Sequence, residues 1–132
     1  MAQQEKEKFD FWNDHSMAFL EMSMKRDHQE TVHQADGYGS AKRDCGDTIM
    51  FFLMADGDQI SAISYDIKGC IYTHACANTI IHLAQGKDIQ GVLSIQETDI
   101  IAYLETLPEK EHHCATLALK AFRKAVESLK SA

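Results

Sequence analysis

The sequence has few of the features that mark nucleic-acid-binding, membrane or secreted proteins. Its 13 basic residues are outnumbered by 20 acidic ones, so no basic stripe can supply the affinity that nucleic-acid binding needs. No apolar run approaches the roughly 18 residues of a membrane span, and the charged N-terminus lacks the apolar segment of a secretory signal. We therefore expect a cytoplasmic protein that binds neither nucleic acid nor membrane, and whose acidity suits a basic protein partner.

Several short motifs of well-known sites are also absent. No two cysteines stand in a Cys-x-x-Cys arrangement, which argues against a thioredoxin-like redox pair and a zinc ribbon. The glycines at 37 and 39 are not followed by the Gly-Lys-Ser/Thr of a phosphate loop. Since cytosolic thiols stay reduced, the four cysteines favour metal binding or thiol chemistry over disulfide bonds.

Length and composition indicate one domain. The 132 residues are 45% hydrophobic, which is enough for a substantial core and argues against disorder. We assign residues 1–132 to a single domain, with residues 1–8 as a flexible lead-in.

Residue periodicity predicts both helices and strands. It indicates a helix over about 10–25, a polar loop over 26–44 in which two glycines are free to take positive φ, and strands over 48–55 and 60–67 joined by a turn at Asp56-Gly57. Ile71–Thr73 is expected to add a short third strand. Helices follow, one ending at Gly86-Lys87, one after Asp88 and one capped by Thr98, and the clearest amphipathic stripe runs through the last twenty residues.

Three cysteines lie where one predicted element gives way to the next: Cys45, Cys70 and Cys114. Asp47 follows the first by two residues, and His113 precedes the last. If the fold brings these junctions together, three thiolates, a carboxylate and an imidazole converge. Thiolates favour zinc, Cu(I) and iron–sulfur units over hard cations, so such a site would hold a soft metal or an iron–sulfur cluster.

Taken singly, each junction also has a purely structural explanation. Cys114 begins the last helix, where the helix dipole favours a thiolate with a lowered pKa, but a buried cysteine also behaves as a small hydrophobic residue. Asp47 could be a metal ligand or the cap of a turn. Cys76 lies among alanines and is assigned to packing, and the histidines at 15, 28 and 33 are expected to be solvated.

The ordered set of these segments resembles the iron–sulfur cluster assembly scaffolds, IscU and the N-terminal domain of NifU. The similarity runs from about Ala35 to Lys130. It rests on four segments: Ala-Asp-Gly-Tyr-Gly-Ser-Ala-Lys-Arg-Asp-Cys-Gly-Asp at 35–47, Gly-Cys at 69–70 with its following helix, Gly-Lys at 86–87, and His-Cys-Ala at 113–115.

The resemblance implies an α+β fold in which a small antiparallel three-stranded sheet packs against about five helices. It also implies a carrier, not an enzyme. Such a scaffold receives sulfur from a cysteine desulfurase, takes up iron, builds a transient [2Fe–2S] cluster and passes it to apo iron–sulfur proteins. The implied ligand positions are Cys45, Cys70 and Cys114, with Asp47 and His113 beside them, and zinc can occupy the same place.

The sequence departs from the family pattern in one segment read by a partner. IscU proteins carry Leu-Pro-Pro-Val-Lys, which a dedicated Hsp70 chaperone recognises, whereas this chain has Leu-Pro-Glu-Lys-Glu at 107–111. Because a glutamate stands where the family has lysine, recognition by that chaperone is not expected.

Two other functions remain open from the sequence. One is a zinc-dependent sulfur acceptor of SufU type, in which the metal holds the site and Cys114 takes the persulfide. The presence of His113 and the absence of an insertion before Cys114 argue against it. The other is a structural zinc domain without sulfur chemistry.

Overall fold

A computed structural model describes residues 15–43 and 46–131. Their elements, in chain order, are α1 (Met17–Met24), β1 (Gly37–Lys42), β2 (Thr48–Asp56), β3 (Gln59–Lys68), α2 (Ile71–Ala84), α3 (Ile89–Leu93), α4 (Glu97–Leu104), a 3₁₀ turn (Glu109–Glu111) and α5 (His112–Ser131). The predicted α+β fold, three antiparallel strands with about five helices, is confirmed.

The sheet has the order β1-β2-β3, so β2 is its central strand. The face of β2 that carries Ile49, Phe51 and Leu53 is fully buried, whereas Met50 and Met54 on the opposite face are only half-buried. The turn to β3 contains Gly57, whose φ of 65° is one that glycine adopts without steric cost. The two strands and the turn between them were predicted from the sequence and are confirmed.

The predicted loop over residues 26–44 is wrong at its C-terminal end, where residues 37–42 form β1. Its glycines are needed for close packing and not for a positive φ. A Cβ on Gly39 would overlap the backbone of α5 at Ala121 and Ala125, and one on Gly37 would lie 2.8 Å from the Ala125 carbonyl oxygen. Glycine therefore lets α5 lie directly against this strand.

The predicted third strand at Ile71–Thr73 is also wrong. These residues are the first turn of α2, whose N-cap is Cys70. Short apolar runs do not distinguish strand from helix by periodicity, and the third position in the sheet is taken by β1. The prediction of Thr98 as a helix cap is wrong by two residues, because Gln96 caps α4 and exchanges hydrogen bonds with Asp99.

The core lies between the sheet and α5, the longest helix. The predicted stripe of α5 is buried, with Phe122 packing edge-on against Phe51 of β2 at 5.3 Å between ring centroids. Cys76 is buried among core residues, as predicted. In the N-terminal region, α1 confirms the described part of the predicted helix, and the residues before 15 lie outside the described ranges. None of the described helices has both the length and the apolar composition of a membrane span.

Replacing Gly39 by alanine tests the contact between β1 and α5. We expect the substitution to lower the free energy of unfolding by about 2–3 kcal/mol, because a methyl group forced against backbone cannot be relieved by a rotamer change. Urea unfolding of Gly39→Ala checks this. Ser40→Ala, on the next residue of the same strand, should change stability by less than about 0.5 kcal/mol. Equal stability of the two variants would contradict the close approach.

Candidate metal centre

Three element boundaries meet at one end of the sheet. Cys70 is the N-cap of α2, Cys114 is in the first turn of α5, and Asp47 directly precedes β2. Residue 45 lies outside the described residues, so the structure does not describe the third predicted cysteine. The three boundaries that carry Cys70, Cys114 and Asp47 therefore meet at one end of the sheet, as expected.

Cys70 and Cys114 both lie within hydrogen-bonding distance of one hydroxyl group. The Thr73 Oγ1 atom lies 3.6 Å from the Sγ atom of Cys114, to which it donates, and 3.8 Å from the Sγ atom of Cys70. Helical side chains lean toward the N-terminus of their helix, which is why Thr73 reaches back to the cap residue. The two sulfurs belong to different parts of the chain, the N-cap of α2 and the first turn of α5, yet both lie within hydrogen-bonding distance of the same oxygen.

Asp47 reaches the same place from the loop between β1 and β2. A Cβ on Gly69 would lie 3.6 Å from the carboxyl carbon of Asp47 and 3.3 Å from the Thr73 hydroxyl. Glycine before Cys70 thus leaves open the space that these two groups face. The loop is held by a hydrogen bond from the Arg43 N–H to the Asp47 carbonyl oxygen, 2.8 Å long.

His113 is held on both of its ring nitrogens. Its Nε2 atom lies 2.6 Å from Nη1 of Arg43, and its Nδ1 atom lies 3.0 Å from the Lys110 carbonyl oxygen. A guanidinium group can only donate, so Nε2 is the acceptor and Nδ1 carries the proton. The lone pair of Nε2 is therefore engaged by Arg43, and this nitrogen could bind a metal only after Arg43 moves.

One carboxylate pairs with this guanidinium group, and a second lies near the ring of His113. Arg43 Nη1 is 3.9 Å from Asp47 Oδ2, and Glu111 Oε1 is 3.8 Å from His113 Nε2. The candidate ligand atoms of Glu111, His113 and Cys114 lie within 4.8 Å of one another. Arg43 therefore contacts two of the candidate ligands, His113 and Asp47, and its positive charge offsets that of the Asp47 carboxylate.

The two thiols differ in environment. Cys70 is exposed, whereas Cys114 is buried. Burial raises the pKa of Cys114 to about 12, with the Thr73 hydrogen bond acting in the opposite direction. The expectation of a lowered pKa at the start of the last helix is therefore wrong, because burial removes the hydration that would stabilise the Cys114 thiolate.

The donor set fits a soft metal. Glu111, His113 and Cys114 have ligand atoms within 4.8 Å of one another, and Cys70 lies on the same Thr73 hydroxyl as Cys114. Thiols, imidazole and carboxylates are donors that zinc and iron–sulfur units accept. Gathering several deprotonated thiols without a cation would be costly, so the arrangement is best suited to a metal that supplies the missing positive charge. The ligand assignments of Cys45, Cys70, Cys114, Asp47 and His113 stay predictions.

Other histidines are placed away from these thiols by their own contacts. His74 is buried, and its Nδ1 lies 3.3 Å from the Tyr65 hydroxyl, while burial lowers its pKa to about 4. The prediction that His15 is solvated is wrong, because it is buried and its Nδ1 lies 2.9 Å from Thr106 Oγ1. His28 is half-buried and His33 is exposed.

Three residues of the site were missed by the sequence analysis: Arg43, Thr73 and Glu111. Two of them have a spacing that could have pointed to them. Arg43 precedes Cys45 by two residues, and Glu111 precedes His113 by two residues. No local signal marks Thr73, because its role depends on a contact with α5, 41 residues away in the chain.

Comparisons with known proteins support the same family. Residues 23–132 match the NifU-like N terminal domain family. The chain is 29% identical over 96 residues to the iron-sulfur cluster assembly scaffold protein IscU 1 of Archaeoglobus fulgidus, covering 72% of this chain and 63% of that protein. It is 32% identical over 87 residues to the iron-sulfur cluster assembly protein IscU of Plasmodium falciparum, covering 66% of this chain and 53% of that protein.

A solved structure supports the fold independently. The crystal structure of an iron-sulfur cluster assembly scaffold protein for the SUF system from Fervidobacterium islandicum AW-1 superposes with a TM-score of 0.71 at 20% identity, covering 89% of this chain and 99% of that one. The sequence matches to the two curated relatives span less than two thirds of their lengths.

Proposed function

Because the chain belongs to the NifU-like N terminal domain family, we propose that it is a scaffold for iron–sulfur cluster assembly. On this proposal a transient [2Fe–2S] cluster is built on it from iron and desulfurase-derived sulfur, and is then transferred to apo-proteins. The observation that carries the proposal is the meeting of thiols from two separate helices, beside a carboxylate and an imidazole, at one end of the sheet.

Cys45, Cys70 and Cys114 are the proposed thiolate ligands of the cluster, which is the cargo of the protein. Three cysteines leave one coordination position to a weaker donor, either Asp47 or His113. A carboxylate is a harder and poorer ligand for cluster iron than a thiolate, so Asp47 would keep the cargo exchangeable. Zinc can use the same donors when no cluster is present.

The different exposures of the two described thiols support separate roles. Cys70 is exposed, so it is accessible to the sulfur donor and to an acceptor protein. Cys114 is buried and would bind the cluster from the protein interior. The proposed partners are a cysteine desulfurase as sulfur donor and apo iron–sulfur proteins as acceptors. The protein is a carrier in this scheme and not an enzyme. Persulfide formation on Cys114 belongs to the alternative, zinc-dependent function of SufU type, and would need an opening of the buried site.

Anaerobic reconstitution tests the proposal. We expect the protein, incubated with iron, cysteine and a cysteine desulfurase, to develop the visible absorption of a [2Fe–2S] cluster and to transfer it to an apo-ferredoxin. Cys70→Ser should lose most of this absorption, because an exposed thiolate ligand is removed without disturbing the core. Cys76→Ala is the matched control and should keep it, because Cys76 is buried in the core.

Two outcomes would contradict the scaffold function. Persulfide on the protein with zinc retained and no cluster would support the sulfur acceptor. Neither persulfide nor cluster, with zinc bound, would support a structural zinc domain. Equal cluster yields in the two cysteine variants would contradict the ligand assignment even if the unsubstituted protein assembles a cluster.

Asp47→Ala tests the role of the carboxylate in release. We expect transfer of the cluster to an apo-ferredoxin to slow roughly tenfold, a change of about 1.4 kcal/mol in the barrier. The reason is that the vacated position passes to the softer imidazole. Visible circular dichroism follows the transfer. Asp58→Ala, in the turn at the far end of β2, removes the same charge and should transfer at the original rate. An unchanged rate of cluster transfer in Asp47→Ala would contradict a role of Asp47 in release.

A further inference from the structure

In the part of the chain that the structure describes, the hydroxyl group of Thr73 lies within hydrogen-bonding distance of the sulfurs of both Cys70 and Cys114. It lies 3.6 Å from Cys114 Sγ and 3.8 Å from Cys70 Sγ. Thr73 is fully buried, so water does not compete for its proton. Among the described residues, no other hydrogen-bond partner of this hydroxyl is found.

A buried hydroxyl group usually has a strong acceptor, because leaving it without one costs free energy. Thr79, six residues later on the same helix, follows this rule by donating to the Ala75 carbonyl oxygen at 2.7 Å. Thr73 instead turns toward two sulfurs, which are weak acceptors as thiols. Thiolates accept much more strongly because they are charged. The hydroxyl is therefore matched to a state in which the cysteines are deprotonated.

We propose that Thr73 is a positioning residue for the cysteine ligands. Its hydroxyl group donates a hydrogen bond to a metal-bound thiolate of Cys114 or Cys70. The proposal rests on the proposed function only in that both cysteines bind one metal or cluster. The hydroxyl holds the two sulfurs at a common distance before binding. Once they are ligands, its hydrogen bond withdraws electron density from one sulfur, which is how groups around a metal site adjust its ligands.

Helix geometry places this hydroxyl in the first turn of α2, beside Cys70. Thr73 is three residues after the cap residue Cys70, so its side chain lies over the first turn of α2 and beside the exposed thiol. The first turn of α5 supplies Cys114 from the other side. A valine would fill the same space with the same branched shape, so steric packing alone does not require the oxygen atom.

Cobalt(II) is the probe that separates the hydrogen bond from packing. Bound to thiolates, it gives sulfur-to-cobalt charge-transfer bands whose energy follows the electron density on sulfur. In Thr73→Val we expect these bands to move to longer wavelength, and cobalt affinity to fall roughly tenfold, as for the loss of other partners of metal ligands. Thr73→Ser keeps the hydroxyl and should restore both band position and affinity.

Thr79→Val is the matched control, because it removes a buried hydroxyl from the same helix without touching a sulfur. It should leave the bands in place. The proposal is overturned if Thr73→Val has unshifted bands, if the serine variant shifts as far as the valine variant, or if the control shifts equally. It is also overturned if the unsubstituted protein binds cobalt without sulfur-to-cobalt bands. If the cobalt bands shift as expected but no [2Fe–2S] cluster forms on reconstitution, the result would contradict the scaffold function and still support the role of Thr73.

Discussion

The direct contact of α5 with a strand that contains two glycines is the constraint on which the rest of the structure depends. Side chains at Gly37 or Gly39 would meet the helix backbone, so their absence sets how close α5 lies to the sheet. Hydrogen bonds from the Tyr38 N–H to Ser128 and from Lys124 to the Ser40 carbonyl oxygen fix the helix along the strand. The first turn of α5 is thereby brought to the end of the sheet at which the β1–β2 loop and the start of α2 meet.

The residues at this end of the sheet fall into a buried group and an exposed group. Cys114 and Thr73 are buried between helices, where packing limits their movement. Cys70 is exposed, and Arg43 and Asp47 are half-buried in or beside the loop that carries residue 45. Arg43 pairs with the Asp47 carboxylate and donates a hydrogen bond to Nε2 of His113.

The sequence predicted those parts of the fold whose signals are local. The apolar run of β2, the glycine turn before β3 and the stripe of α5 each follow from neighbouring residues, and all three are confirmed. It failed for β1, because its glycines suggest a loop until the helix packed against them is known. It failed for the pKa of Cys114, since a helix N-terminus can be recognised locally but burial cannot. Cys70, Cys114, Asp47 and His113 were singled out at element boundaries that the structure brings to one end of the sheet, and their role as ligands stays a prediction. Arg43 and Thr73 are defined by contacts between distant segments.

The central claim is that Cys45, Cys70 and Cys114 bind one metal together. X-ray absorption at the zinc edge of the zinc-loaded protein tests it most directly, because it counts the sulfur atoms bound to the metal. The account predicts about three sulfurs at about 2.3 Å and one oxygen or nitrogen at about 2.0–2.2 Å. A first shell with one sulfur or none would contradict it.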